Sequence, residues 1–134
     1  MKIHKIQGDI SKQIANSIKD YCSIDCEMSG LIPERDKLSI ISLTGDDDNV
    51  YIIQPNKNYE APNLVSVLKN EKILKIFHFA RMDVHFLDVY LKTNVKNYFC
   101  TKLMSRLAPT WSQNHGLKDL CSEICNVKLD KKYG

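Results

Sequence analysis

Residues 21–31 read YCSIDCEMSGL, and the fold turns on how this stretch is understood. Cys22, Ile24 and Cys26 alternate with Ser23, Asp25 and Glu27, which is the period of a strand with one apolar face. Alternate strand residues point the same way, so Asp25 and Glu27 project from one side of a sheet near the strand's carboxyl end. In α/β sheets ligands bind at that end. Two ionised carboxylates held together repel, and a hard divalent cation is the natural group to neutralise them. Taken alone, the pair also suits an acidic strand end facing water. The rest of the chain decides between the two.

Working outward, residues 37–43 and Asn49–Gln54 are two further apolar-rich runs joined by TGDDDN, which has hairpin chemistry. They are expected to run antiparallel, with the acidic triplet Asp46, Asp47 and Asp48 as a solvated turn. Upstream, residues 3–7 suit a short edge strand. Residues 9–21 suit a helix capped by Asp9 or Ser11, with Ile10, Ile14, Ala15 and Ile18 at helical spacing. Downstream, helices are expected over 61–70, 80–91, 102–108 and 115–127, and short strands over 75–79 and 98–101. The order of strand, hairpin, then alternating helices and strands predicts an α/β fold: a mixed sheet containing an antiparallel hairpin and flanked by helices.

The 134 residues suffice for one domain and one core. Hydrophobic content of 43% and charged content of 26% are ordinary for a globular chain. No apolar run is long enough to span a bilayer, and MKIHKIQGDISKQ lacks a secretory apolar segment. Five cysteines, an odd number, with no signal segment, point to reduced thiols in a cytoplasm. Cys22 and Cys26 are expected to pack in the sheet. Cys121 and Cys125 lack two further zinc ligands at a recognisable spacing. The net charge of +3 permits a polyanionic partner without requiring one, and the lysines, Lys75 among them, are scattered as on a solvated surface. No Gly-rich phosphate loop is present.

A third acid changes the weight of the first two. KIFHFARMDVHFL places Asp83 in the first turn of a helix that follows a buried strand. A helix N-terminus favours an acid for its own sake. If that strand lies beside the first, however, Asp83 reaches the sheet end carrying Asp25 and Glu27. Three converging carboxylates form a hard-metal site.

With these residues in place the chain resembles the DEDD superfamily of 3′–5′ exonucleases, in its ribonuclease D branch. IDCEMSGL is similar to the family's first motif, a strand bearing Asp-x-Glu. KIFHFARMD is similar to the second, with its Asp at position 83. FCTKLMSRLAP, with Thr101 and Lys102, and HGLKDLCSEICNVKLDK are similar to the segments that follow. The resemblance covers nearly the whole chain. Phe79 stands where the family usually has Asn or a small residue, preceded by His78. A third motif, Tyr-x-x-x-Asp, would follow LDK; Tyr133 is followed only by Gly134, so residues 1–134 are expected to form an exonuclease domain incomplete at its C-terminus.

The resemblance implies a ribonuclease H-like fold and a hydrolase that cuts phosphodiester bonds with two Mg²⁺ or Mn²⁺ ions, held by Asp25, Glu27 and Asp83 as catalytic and metal-binding residues. It implies contacts to the terminal nucleotide from the Met28 backbone and the Leu31 side chain, with His78 and Arg81 lining the same region. Single-stranded RNA 3′ ends are the implied partner, with DNA as an alternative and 5′-mononucleotides as product. The competing expectation is a non-catalytic nucleic-acid-binding or interaction module built on the same fold.

Overall fold

A computed structural model of the chain describes residues 2–45 and 47–101. The expected helices over 102–108 and 115–127, together with Asp46, Cys121 and Cys125, lie outside the described residues. Within them the element order is β1 (Lys2–Gln7), α1 (Lys12–Ser17), β2 (Tyr21–Met28), β3 (Leu38–Thr44), β4 (Asn49–Gln54), α2 (Pro62–Lys69), β5 (Leu74–Phe77), α3 (Ala80–Tyr90) and β6 (Tyr98–Cys100). The strands form one six-stranded sheet in the order β1-β4-β3-β2-β5-β6. β3 pairs antiparallel with both β2 and β4, while β1–β4, β2–β5 and β5–β6 are parallel. The mixed sheet with an antiparallel hairpin is therefore as the apolar pattern requires.

Strand alternation separates the two faces. Cys22, Ile24 and Cys26 are buried, as are their cross-strand neighbours Leu43, Ile41, Ile53 and Tyr51. They join one core cluster with Ala15 of α1, Leu64, Val67 and Leu68 of α2, and Val84, Phe86 and Leu87 of α3. The three described helices thus cover this face. On the other face, Tyr21, Ser23, Asp25 and Glu27 are exposed, and Ile40, Ser42, Thr44, Ile52 and Ile76 are half-buried.

Three local expectations are corrected. The first helix is much shorter than 9–21, because Leu74 N–H donates to Asp20 O at 2.9 Å and the chain is already extended where β2 begins. Ser11 caps α1, accepting from Ile14 N–H at 3.1 Å. Asp9 instead caps α2 from across the fold, its carboxylate accepting from Asn63 N–H and Leu64 N–H, each at 2.9 Å. α2 needs this, since Ala61 at its N-cap has no side-chain acceptor. The third correction concerns Lys75, which is not on the surface but 0% exposed. Its Nζ donates to Asn70 O and Ile73 O, both at 2.7 Å, which supplies the partners a buried ammonium requires.

Candidate active site

The site begins where two strands part. β5 pairs with β2 only from Tyr21 to Ser23, so the edge of β2 beyond that point has lost its neighbour. After Phe77 the chain turns through His78 and Phe79 into α3. Phe79 adopts φ 62° and ψ 57°, a left-handed conformation unfavourable for an aromatic residue by about 1–2 kcal/mol. Ala80 N–H, at the start of the helix, donates to Cys100 Sγ at 3.3 Å. This turn aims the first turn of α3 at the vacated edge of β2. There Asp83 takes the N–H that β5 no longer satisfies: Cys26 N–H donates to Asp83 Oδ2 at 3.3 Å.

Cys26 lies between Asp25 and Glu27, so this bond delivers Asp83 to the expected place. The electrostatics agree. Asp83 is 6% exposed, and its carboxyl is pushed up to about 7, first by burial and then by the negative charge of Asp25, with Glu27 adding to it. The Cys26 N–H lowers it only in part. Asp25 is also raised, chiefly by desolvation of its carboxyl, against the opposing pull of the Cys26 N–H and the His78 ring. The buried Cys26 thiol is pushed well above its ordinary range by desolvation and by all three carboxylates. Two carboxylates thus share one N–H donor, and three act on one thiol.

Neighbouring is not yet ligation. Among the described residues no three His, Cys, Asp or Glu side chains are gathered closely enough to hold an ion as they stand. The donor set still fits a hard cation: three oxygen ligands at one strand end, one of them buried against like charge, with only a single N–H to offset it.

The remaining expected residues divide. Leu31 is 72% exposed, Ile32 beside it is exposed, and Met28 is half-buried. Met28 ends β2, and Leu31 and Ile32 sit on the loop that follows it, which is firmly held. Ser29 Oγ accepts from Lys37 N–H at 2.8 Å, Asp36 Oδ2 accepts from Ile32 N–H at 3.0 Å, and Tyr90 O–H of α3 donates to Asp36 O. Gly30 leaves room for that Asp36 carboxylate, which a Cβ there would strike. His85 Nε2 of α3 lies 3.6 Å from Glu34 Oε1 of the same loop. Arg81 is exposed on the first turn of α3. His78 is half-buried, and its Nδ1 lies 2.9 Å from Thr101 Oγ1. Sequence reasoning marked Thr101 only as part of a segment; no local pattern ties it to a histidine 23 positions earlier.

The fold that positions these residues has known counterparts. Residues 5–134 match the family model described as 3′-5′ exonuclease, and the chain belongs to that family. No curated protein sequence matches. Brucella melitensis NrnC with bound Mg²⁺ is 36% identical with a TM-score of 0.90, over 98% of this chain and 65% of that one. NrnC bound to pGG gives 36% identity and a TM-score of 0.91, over 100% of this chain and 66% of that one. Escherichia coli RNase D, an exoribonuclease involved in structured RNA processing, superimposes with a TM-score of 0.82 at 17% identity, over 98% of this chain and 36% of that one, a likeness of fold. The chain thus spans just under two thirds of the length of the NrnC structures. The ribonuclease H-like exonuclease fold and the DEDD resemblance both stand.

Proposed function

We propose that this chain carries the metal-binding carboxylates of a 3′–5′ exonuclease acting on short single-stranded RNA and releasing 5′-mononucleotides. The observation that carries the reading is the meeting of Asp25 and Asp83 on the Cys26 N–H, with Glu27 alongside. The NrnC structures with Mg²⁺ and with pGG support the cation and the short oligonucleotide.

In this reading Asp25, Glu27 and Asp83 would together hold the divalent cation, Glu27 serving the side of the attacking water and Asp83 that of the leaving 3′-oxygen. Mg²⁺ or Mn²⁺ bound there would lower the pKa of a water and stabilise the departing oxyanion. The chain's own part is placement. The Met28 backbone at the end of β2 and the exposed Leu31 on the pinned loop after it hold the last nucleotide against the carboxylates. Arg81 is placed to meet a phosphate. Such contacts grip the backbone and the chain end and carry little base information.

The test is a 3′-end assay with Mn²⁺ on a 5′-labelled RNA ladder, using the chain and its Asp25→Ala variant. Stepwise shortening that falls roughly a thousandfold in the variant, about 4 kcal/mol of transition-state stabilisation, is expected. The second reading, a binding module, draws on the carboxylates not being gathered as a ligand set. Cation-dependent RNA binding by wild type with no shortening would establish it.

A further inference from the structure

α3 reaches toward the site from both of its ends. Asp83 in its first turn accepts from the Cys26 N–H of β2, and Tyr90, its last residue, donates its hydroxyl to Asp36 O in the loop after β2. The seven positions between them are nearly two full turns, so both side chains leave one face of the helix, about 10 Å apart along its axis. The Tyr90 ring is itself held. Phe86 stacks on it at 6.1 Å with 6° between the ring planes, and Tyr59 packs against it at 4.6 Å. The Tyr59 hydroxyl donates to Leu38 O at 3.0 Å, two residues beyond Asp36. Its backbone is left-handed, at φ 54°, which an aromatic residue rarely adopts. Two packed tyrosines thus clasp alternate carbonyls where the loop enters β3.

The clasp sits where the sheet gives least control. The β2–β3 register shifts between Glu27 and Met28, so the ladder that places Asp25 and Glu27 does not run unbroken into the loop. Within the loop, Ser29 N–H donates to Lys37 O at 2.9 Å, and Arg35 N–H and Asp36 N–H donate to Ile32 O at 3.0 and 2.7 Å. These bonds hold the loop to itself. Tyr90 sets where that unit stands against α3. A second reach from the helix, His85 to Glu34 at 3.6 Å, is exposed at both ends and holds little. The exposed Leu31 lies in the middle of the unit, and its Cα is no more than about 14 Å from that of Glu27, four positions earlier.

Resting on the exonuclease reading, we infer that Tyr90 is a positioning residue: acting through Asp36 O, it fixes the Leu31 grip on the 3′-terminal nucleotide at a set distance from the carboxylates. α3 is then the spacer between the nucleotide hold at one end and the cation site at the other. The Tyr90 hydroxyl is spent on Asp36 O and touches neither substrate nor cation. Its loss should loosen the hold on the nucleotide and leave the cation site, two turns away, as it was.

Tyr90→Phe keeps the ring and removes only the donor. In the folded variant the dissociation constant for pGG, measured with non-catalytic Ca²⁺, should rise roughly 3- to 10-fold, one hydrogen bond's worth. The shift of the urea midpoint by Mg²⁺ should stay as in wild type. Leu31→Ala should also weaken pGG, and adding Tyr90→Phe to it should cost less than about twofold more, because the group that the hydroxyl positions is gone. A hydroxyl that merely steadied the fold would move the ligand-free urea midpoint and leave the pGG affinity of the folded protein alone. Gly30→Ala reaches the same unit from within, since its Cβ strikes the Asp36 carboxylate. It should reproduce both the selective loss and its disappearance in Leu31→Ala, and it decides the matter should Tyr90→Phe not fold. Unchanged pGG affinity in folded Tyr90→Phe, full-strength binding by Leu31→Ala, a loss that persists in full on Leu31→Ala, or an equal loss of the Mg²⁺ response overturns this inference alone. No binding of pGG by wild type overturns the exonuclease reading with it.

Discussion

Among the described residues two charged side chains are buried, Lys75 and Asp83, and they are treated oppositely. Lys75 sits near the start of β5 with two carbonyl acceptors at 2.7 Å. Asp83 sits past the end of β5 with one N–H at 3.3 Å and two carboxylates for company. Burial lowers the Lys75 ammonium and raises the Asp83 carboxyl, as desolvation must for each charge type. The difference lies in compensation. Lys75 is completed by its own fold, closing the turn between α2 and β5. Asp83 is held in a place that becomes favourable only when positive charge arrives. A buried charge with its needs met reads as structure, and one with its needs unmet reads as a site.

The comparison can be broken most sharply at Asp83. Its folded pKa of about 7 lies above the ordinary carboxylate value, so the folded state holds a proton that the unfolded chain releases. Its contribution to stability is full below about pH 4 and is lost as pH rises to about 7, by roughly 4 kcal/mol in all and 2–3 between about pH 5 and 8. Asp83→Asn removes the titration. Urea unfolding at the two pH values should show the variant gaining on wild type by that 2–3 kcal/mol at the higher pH. A constant gap between the two proteins would mean that Asp83 is not perturbed in the folded chain.

Lys75→Met takes the Nζ donor from Ile73 O and leaves Asn70 O with the Ile73 N–H alone, and should cost roughly 1–3 kcal/mol, with 3′-end activity unchanged. A large activity loss at full folding would erase the distinction between the two buried charges. Cation binding sharpens it from the other side. At about pH 8, Mg²⁺ at tenfold its dissociation constant should stabilise wild type by roughly 1.4 kcal/mol, read as a shift in the urea midpoint, and Asp83→Asn much less. The smallest effect falls far from both residues. Asp9→Ala removes the cap of α2 and should cost about 1 kcal/mol with no change in the response to Mg²⁺.

Asp25 and Glu27 were legible because strand alternation is local: five residues suffice to put both on one face. The hairpin was legible for the same reason, as were the boundaries of β4, set by TGDDDN before it and Pro55 after it. The short α1 was not, because the hydrogen bond from Leu74 N–H to Asp20 O, 54 positions apart, ends the helix against its own periodicity. The role of Asp9 was hidden likewise: a cap is expected to serve its own helix, and this one serves α2. Lys75 in β5 looked like any other surface lysine, since nothing beside it in sequence announces two carbonyls waiting within the fold.

Sequence alone determined the acids and their spacing, the strand that carries two of them and the helix turn that carries the third. Those depend on periods of two and of 3.6 residues, which neighbours in the chain set for themselves. Tertiary structure decided that β5 leaves β2 after Ser23, that Asp83 closes on the Cys26 N–H so exposed, and that Thr101 meets His78. Each of these joins groups distant in sequence, and burial sets their strength by removing the water that would otherwise screen them.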